Sequence, residues 1–398
     1  MELYVRFGKS GGKMIGVLPE FLIFKNRIIN KKTGKAYILP DKLIRFLFML
    51  PNATMIHKDF VHFLETEHII GEISREYLPF VKETEMNKER LFIQLTDKCN
   101  LYCKHCFISA EWGNSQEYDF EKLKCLIEEA IGMGIYRIDF TGGEISTLPW
   151  LTDLIDFLDY KPIEYCFFTN LVIDDKKVLH ALKFANGLKE VITSLDYFED
   201  EKHDTFRGKK GAFRATMNSI SSLYDSGINI SVNTMVLGDN YNDIISMIDY
   251  FYPLGIYMCF DMVVKKGRAK KCHAFLNDYK MYVDIVLRCK NYIKDKYNCE
   301  IDFWGLNKCG VGESLLYVDK NARFQLCPGL TENDKEEFYL GDTISGAIAE
   351  RGKFDLKCEE ICKFHDKCSY GCRERAFLYS GNLKSKESAL CYLLEKGL

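Results

Sequence analysis

Leu95–Phe107 reads LTDKCNLYCKHCF, and its three cysteines, Cys99, Cys103 and Cys106, have the spacing C-x3-C-x2-C. The preceding run, Leu91–Leu95, is apolar and β-prone, so the cysteines follow directly on the end of a strand, where three thiolates can converge. That arrangement suits an iron–sulfur cluster. Zinc suits it less well, because structural zinc closes with four ligands and His105, the local candidate for a fourth, lies between two of the cysteines. Three thiolates on a four-iron cluster leave one iron open, and an open position separates a reactive metal site from a structural one. The bland alternative is three core or redox cysteines clustered by chance.

The triad resembles the cluster motif of the radical S-adenosylmethionine (radical SAM) enzymes. The resemblance implies an open iron chelated by SAM, whose 5′-deoxyadenosyl radical removes a hydrogen atom from the substrate, with the protein positioning SAM and excluding water and oxygen. It also implies an external one-electron donor such as flavodoxin or ferredoxin.

Composition narrows the function classes. With 398 residues the chain has room for two or three domains, and at 47% hydrophobic and 28% charged residues it is ordinary globular protein. A net charge of -3 gives no basic footprint for nucleic acid. No signal-peptide h-region and no apolar run long enough to span a bilayer is visible, so no membrane role and a cytoplasmic location are expected. Sixteen cysteines in such a protein point to metal rather than to disulfides.

Residues 1–90 contain no cysteine and are expected to form a separate module. FLIFKNRIINKKTGKAYIL reads as two short strands around a polar turn at Lys31–Gly34, followed by helical runs DKLIRFLFML and IHKDFVHFLETEHII. Two strands and two helices resemble the winged-helix element that binds the leader of ribosomally made peptides; a mere cap on the barrel is the plain alternative.

From residue 91 to 298 strands and helices alternate. Expected strands are Ile135–Thr141, Ile163–Thr169, Lys189–Leu195, Ile228–Val236 and Ile256–Val264, and expected helices lie near Tyr118–Met133, Leu151–Leu158, Lys176–Lys183, Ala212–Asp225, Asn242–Tyr252 and Leu276–Lys294. Repeated βα units imply a parallel sheet with right-handed crossovers. The fold class is therefore α/β, and the resemblance implies a partial (β/α)6 radical SAM barrel with functional residues at the C-terminal strand ends.

The motifs fall at those ends. After the second strand, Gly142 and Gly143 permit close backbone approach to a ligand, and Glu144 offers an acceptor to an ammonium group. The family counterpart, Gly-Gly-Glu-Pro, holds the SAM amino group; Ile145 replaces its proline here. Thr169 and Asn170 end the third strand, with Leu171 where the family often has glycine. Ser194 and Asp196 end the fourth and are expected beside the SAM ribose. His203-Asp204-Thr205-Phe206-Arg207-Gly208 is similar to the family's His-x3-Arg-Gly segment, which implies that Arg207 meets the SAM carboxylate with its planar fork, and His203 is read as structural. Asn233 and Gly267-Arg268-Ala269 are weaker echoes. Cys125, Cys166, Cys259, Cys272, Cys289 and Cys299 are scattered, most of them expected to be small buried hydrophobes.

Residues 299–398 change character, with seven cysteines from Cys309 to Cys391. The block C-x3-C-x5-C-x3-C at Cys358, Cys362, Cys368 and Cys372, flanked by Cys309, Cys327 and Cys391, resembles the SPASM extension and its two auxiliary iron–sulfur clusters. Carried over, Cys358, Cys362, Cys368 and Cys391 hold the outer cluster, and Cys309, Cys327 and Cys372 the inner one. The inner set lacks a fourth cysteine, leaving an open iron, Cys299 or a substrate thiolate as the completing ligand. Zinc knuckles are the structural alternative.

Together these features imply a peptide maturase that takes a precursor peptide with a leader segment and installs a cross-link, foremost a thioether. The resemblance identifies no catalytic side chain beyond the cluster ligands. A sulfatase-maturase-like oxidase, in which an aspartate follows the cysteine matching Cys327, is disfavoured by Pro328. A peptide epimerase and a non-enzymatic electron carrier are further alternatives.

Overall fold

The computed structural model describes residues 4–5, 14–18, 21–24, 27–30, 36–39, 43, 56–73, 88–113, 116–271, 279–298, 309–331, 336–365 and 368–396. Its N-terminal part contains β1 (Tyr4–Val5), β2 (Met14–Val17), β3 (Phe21–Phe24), β4 (Arg27–Asn30), β5 (Ala36–Ile38), β6 (Ile56–His57), α1 (Lys58–Thr66) and β7 (Ile70–Ile73). Among the described residues of this part the pairings are antiparallel: β1 with β6, β2 with β7, and β4 with both β3 and β5. The stretch expected to start with one strand through FLIFKNRIIN forms two, with Phe24 opposite Arg27, because the polar pair Lys25-Asn26 interrupts two apolar runs. The expected helix at IHKDFVHFLETEHII is shorter, and its two ends are strands. The polar turn at Lys31–Gly34 and nearly all of the helix expected at 41–50 lie outside the described residues. Phe21, Ile23, Ile28, Leu64 and Ile69 are the centre of a small core of its own.

The next strands, β8 (Arg90–Gln94), β9 (Arg137–Thr141), β10 (Glu164–Phe168), β11 (Leu188–Ser194), β12 (Ile230–Val236) and β13 (Tyr257–Met262), pair in sequence order and all parallel. Between them run α2 (Phe120–Gly132), α3 (Leu151–Asp159), α4 (Lys176–Phe184), α5 (Asp200–Arg207), α6 (Ala212–Tyr224) and α7 (Tyr241–Phe251), and α8 (Tyr279–Tyr297) follows β13. In α2 the Asp119 side chain accepts the Lys122 N–H as an N-cap, and Leu123, Ile127 and Ala130 repeat at helical spacing on the buried face. Ile138 and Phe140 of β9 are fully buried in the shared core, which also takes Leu91, Ile93, Phe167 and Val191. This is the expected partial (β/α)6 barrel.

Its sheet does not stop at the boundary expected after residue 298. β14 (Leu315–Val318) pairs in parallel with β8, and β15 (Phe324–Gln325) and β16 (Tyr339–Gly341) extend it to nine strands. The remaining elements are α9 (Ile344–Arg351), α10 (Arg373–Ser380) and α11 (Ser388–Glu395). Leu316, Val318, Phe324, Leu340 and Leu390 join the barrel's own core, so the cysteine-rich segment is packed continuously with the barrel. No described helix is long and apolar enough to cross a membrane.

Candidate active site

The cluster loop is held from three sides by backbone. Its entry is tied to the loop after β9: Gly143 N donates to Thr96 O and Glu144 N to Lys98 O, both at 2.8 Å. A β-carbon on Gly143 would come within 2.3 Å of Lys98 O, and one on Gly142 within 2.9 Å of Thr96 O. The missing β-carbons thus leave room for the backbone of the cluster loop itself. On a second side, Tyr102 N donates to Arg207 O (2.9 Å) and Lys104 N to Phe206 O (3.0 Å), so carbonyls ending α5 hold the middle of the loop. Gly208, at φ 72°, ends that helix where a β-carbon would come within 2.5 Å of Tyr102 O.

The third side was read in the sequence only as an echo. Arg268 donates from Nε to Cys103 O (2.8 Å) and from Nη1 to Ala110 O (2.7 Å), while its guanidinium lies 4.0 Å from the centre of the Tyr102 ring. Gly267, at φ 54°, leaves room for the carbonyls of Cys106 and Phe107, which a β-carbon would meet at 2.4 and 2.5 Å. Gly267 and Arg268 thus clamp the cysteine loop.

Cys99, Cys103 and Cys106 share one small buried cluster. Cys99 Sγ accepts Leu101 N–H (3.4 Å) and Cys106 Sγ accepts Ala110 N–H (3.3 Å). Burial, with the neighbouring negative groups adding to it, pushes the Cys99 thiol up to about 12, and burial likewise raises Cys103. Thiols this resistant to ionisation become ligands by exchanging their protons for a metal, and N–H donors at sulfur are what an iron–sulfur cluster uses to tune its potential. The donor set fits such a cluster. His105 is not directed to it: its ring stacks on Phe206 with centroids 4.7 Å apart, and burial together with Arg207 lowers its pKa to about 4. Among the described residues no three His, Cys, Asp or Glu side chains are arranged to hold a single metal ion; a four-iron cluster spreads its ligands wider than one ion does.

Glu144 is buried beside this loop and collects the third strand end. It accepts from Thr169 Oγ1 and Asn170 N, each at 2.6 Å, and from Ser146 N at 2.9 Å. A carboxylate offers about four acceptor positions, so one remains for an incoming ammonium group. Asn170 Nδ2 donates to Asn100 Oδ1 (2.9 Å) and lies 4.0 Å from Cys99 Sγ, which joins two motifs that the sequence shows seventy residues apart. Leu171, at the family's glycine position, is fully buried with φ 58°, in the left-handed region that a side chain disfavours. Its turn is bridged by Leu171 N to Thr169 Oγ1 (3.1 Å) and Val172 N to Asn170 Oδ1 (2.8 Å).

Asp196 and Arg207, expected to contact different parts of SAM, contact each other. Arg207 Nε and Nη2 both donate to Asp196 Oδ2 at 2.6 Å, Asp196 Oδ1 accepts Met235 N–H at 3.0 Å, and Arg207 Nη1 lies 3.8 Å from Cys103 Sγ. Burial alone would raise the Asp196 carboxyl, but the Arg207 charge outweighs it and holds the group below its ordinary range. His203 is buried, with Nδ1 accepting Asp196 N–H at 3.4 Å and its pKa lowered to about 4 by burial and Arg207, a structural role as read. Ser194 is half-buried at the end of β11, and Asn233 donates to Asp261 (2.8 Å).

The C-terminal cysteines lie in two places. Cys358, Cys362, Cys368 and Cys391 line one cavity of about 210 Å³. Cys327 and Cys372 have each other and Cys309 as electrostatic neighbours. Arg373 is buried against both groups; its Nη1 donates to Leu383 O and Ser385 O, whereas its Nε and Nη2, also buried, have no hydrogen-bond partner. Buried donors without acceptors are costly, and sulfur-rich anionic clusters would supply the acceptors. Cys299 and Cys272 lie outside the described residues. Cys166 and Cys289 are buried and Cys259 half-buried, as expected, but Cys125 is exposed.

Lys266, which composition and motifs did not single out, connects the two cysteine regions. It is 1% exposed, and its Nζ donates to Gly329 O (2.8 Å) and Pro328 O (3.3 Å), just past Cys327, while lying 5.5 Å from the Phe107 ring of the cluster loop. Beside it opens a cavity of about 340 Å³ lined by Gln94, Asp97, Phe107, Lys266, Lys320 and Arg323.

Residues 93–251 match the family profile of the radical SAM superfamily, and they form a radical SAM domain. The antilisterial bacteriocin subtilosin biosynthesis protein AlbA of Bacillus subtilis is 32% identical over 162 residues, which are 41% of this chain and 36% of AlbA. Fe-coproporphyrin III synthase of Methanosarcina barkeri is 30% identical over 209 residues, 51% of each chain. The chain thus spans about half or less of the length of these curated relatives. The structure of Streptococcus suis SuiB bound to its precursor peptide SuiA superposes with a TM-score of 0.62, covering 95% of this chain and all of that one, at 14% identity, and so shares the fold.

Proposed function

We propose that this protein is a radical SAM peptide maturase that forms a cross-link, specifically a thioether, in a ribosomally made precursor. The observation that carries the reading is the single line of residues from the Cys99–Cys106 loop through Phe107 and Lys266 to the turn after Cys327, with a 340 Å³ cavity alongside it. Similarity to a bacteriocin biosynthesis protein and the shared fold with a peptide-bound maturase support a peptide substrate; similarity to a porphyrin enzyme shows that the barrel alone does not set the substrate.

When bound, the reduced cluster and SAM supply the 5′-deoxyadenosyl radical. The chain's own residues do the rest. Cys99, Cys103 and Cys106 hold the cluster and Arg268 and Gly267 fix their loop. Glu144, kept in place by Thr169 and Asn170, orients the SAM amino group; Asp196 holds Arg207 by one edge so that its Nη1 side faces the ligand site; Ser194 contributes a hydroxyl at the end of β11. The Lys266 stem, 1% exposed, fills the space between the cluster loop and the turn after Cys327. The auxiliary cysteines would hold iron–sulfur clusters, which supply electron-transfer chemistry, and a flavodoxin or ferredoxin is the external reductant in this reading.

The N-terminal module serves as the leader-binding domain. A cavity of about 610 Å³ between Ile38 of β5 and Phe184, Gly187 and Asn229 of the barrel, with Glu164, Lys183 and Lys189 also in its largely polar lining, offers a strand edge to an extended peptide. Anaerobic coexpression with a small peptide encoded beside this protein tests the whole reading by mass spectrometry. A loss of two hydrogens together with one alkylatable cysteine is expected; an unchanged mass with an inverted centre, or oxidation of a single side chain, would replace the thioether reading.

A further inference from the structure

Arg373 is the first residue of α10, directly after Cys372, and only 5% of it is exposed. Its Nη1 uses both hydrogens on Leu383 O (2.9 Å) and Ser385 O (3.0 Å), carbonyls of the loop between α10 and α11, and this fixes the planar guanidinium. The hydrogens of Nε and Nη2 are left, and among the described residues neither nitrogen has a hydrogen-bond partner. The side chains around the guanidinium that can carry negative charge are Cys358, Glu387, Cys372 and Cys368. Glu387 is turned to other donors: Oε1 accepts from Arg375 Nε (3.0 Å) and Ala389 N (3.3 Å), and Oε2 from Leu390 N (2.9 Å). Gly371, where a β-carbon would lie 2.8 Å from Oε2, lets that carboxylate sit against the turn between Cys368 and Cys372. The groups left to meet the Arg373 donors are sulfurs. Cys358 and Cys368 line the cavity of about 210 Å³ at the outer group, whereas Cys372 has Cys309 of the inner group as its neighbour.

We propose that Arg373 is a positioning residue shared by the two auxiliary clusters, donating from Nε and Nη2 to their cysteine sulfurs and raising the reduction potentials of both. The inference rests on the auxiliary-cluster reading above. Its physical basis is the cost of the alternative, because a buried cation whose N–H groups find no acceptor loses its hydration without replacement. A protonated thiol is a weak acceptor, but a thiolate bound to iron keeps negative charge and makes a charge-assisted hydrogen bond. Reducing a cluster adds one more negative charge, so a fixed cation with N–H donors at the sulfurs favours the reduced form. One guanidinium with thiols of both groups as neighbours also offsets the repulsion between two reduced clusters. Lysine would supply a point charge there without the planar fork.

The test uses full-length protein, reconstituted anaerobically with iron and sulfide, in a parent carrying Cys99→Ala, Cys103→Ala and Cys106→Ala so that only auxiliary iron remains. Potentiometric titration followed by EPR gives the midpoint of each cluster in the parent, in Arg373→Met and in Arg373→Lys. Arg373→Met is expected to lower the reduced-to-oxidised ratio of both clusters at fixed potential by about tenfold, a shift of about 59 mV for a one-electron couple. Arg373→Lys, which keeps the charge and loses the fork, should restore part of that shift. A purely structural role through Leu383 and Ser385 would lower iron retention and leave the midpoints where they are. Unmoved midpoints with iron content intact overturn the proposal, as does a shift in one cluster only. Where Arg373→Met does not hold its iron, the parent itself decides. With arginine labelled by 15N in its guanidino group, pulsed ENDOR of the reduced clusters should show nitrogen couplings that Arg373→Lys lacks, and their absence overturns the proposal. A parent that binds no auxiliary iron would overturn the auxiliary-cluster reading itself, and the proposal with it.

Discussion

Arg207 gives two of its N–H groups to one oxygen of Asp196, each at 2.6 Å, while its remaining nitrogen lies 3.8 Å from Cys103 Sγ. Both side chains are buried. Removing one partner of such a pair strands a charge, which costs about 3–5 kcal/mol, whereas replacing both by apolar groups costs far less. Asp196→Ala should therefore lower unfolding free energy by roughly that amount in urea titrations, and Asp196→Ala with Arg207→Met should recover most of the loss.

His203 predicts a pH dependence. Its folded pKa is about 4 against an ordinary 6.5, so the unfolded chain binds a proton between those values that the folded chain refuses. Stability must rise with pH across that window, by about 1.4 kcal/mol per unit for each such group. His203→Gln should lower the slope between pH 4 and 6.5 by about 1.4 kcal/mol per unit relative to the parent, read from urea titrations at several pH values, and leave stability above pH 7 without pH dependence from this source.

Leu171 sets backbone strain against burial. Leu171→Gly relieves about 1–2 kcal/mol of left-handed strain but gives up about 2–5 kcal/mol of packed side chain. The net expectation is a loss of about 1–3 kcal/mol in denaturant unfolding, since burial is the larger effect at a residue with no exposed surface. A gain in stability would show that the turn, rather than the core, governs this position.

Cys99→Ala, Cys103→Ala and Cys106→Ala together should abolish 5′-deoxyadenosine formation from SAM and leave auxiliary iron largely bound, because the two ligand sets lie on separate loops. Iron analysis and chromatography of the nucleoside products decide it. Continued 5′-deoxyadenosine production would refute the assignment of the cluster.

Deleting residues 1–88 should weaken binding of a precursor leader by at least about tenfold, or 1.4 kcal/mol, while uncoupled SAM cleavage stays within about twofold. The module has its own core, and Arg27, which donates to Ile163 O, is its described hydrogen bond to the base of the barrel. Fluorescence anisotropy with a labelled leader peptide measures the first quantity. Equal affinity in the two proteins would reduce the module to a cap.

The barrel was legible in the sequence because each βα unit repeats its own apolar period, and local periodicity survives without tertiary context. The cysteine spacings are legible for a related reason: Cys99, Cys103 and Cys106, the ligands proposed for one cluster, come from a few consecutive residues, so the chain prints their spacing directly. Only the fold decided what the remaining polar groups do. Asp196 and Arg207 read as two separate ligand contacts until burial forced opposite charges eleven residues apart to neutralise each other. Gly142 and Gly143 read as a turn that lets backbone approach a ligand, and only the fold shows that their missing β-carbons leave room for the cluster loop's own carbonyls. Lys266 carries no local pattern at all. Its position depends on the meeting of a strand end with a turn 63 residues further on, and no short-range rule of spacing contains that information.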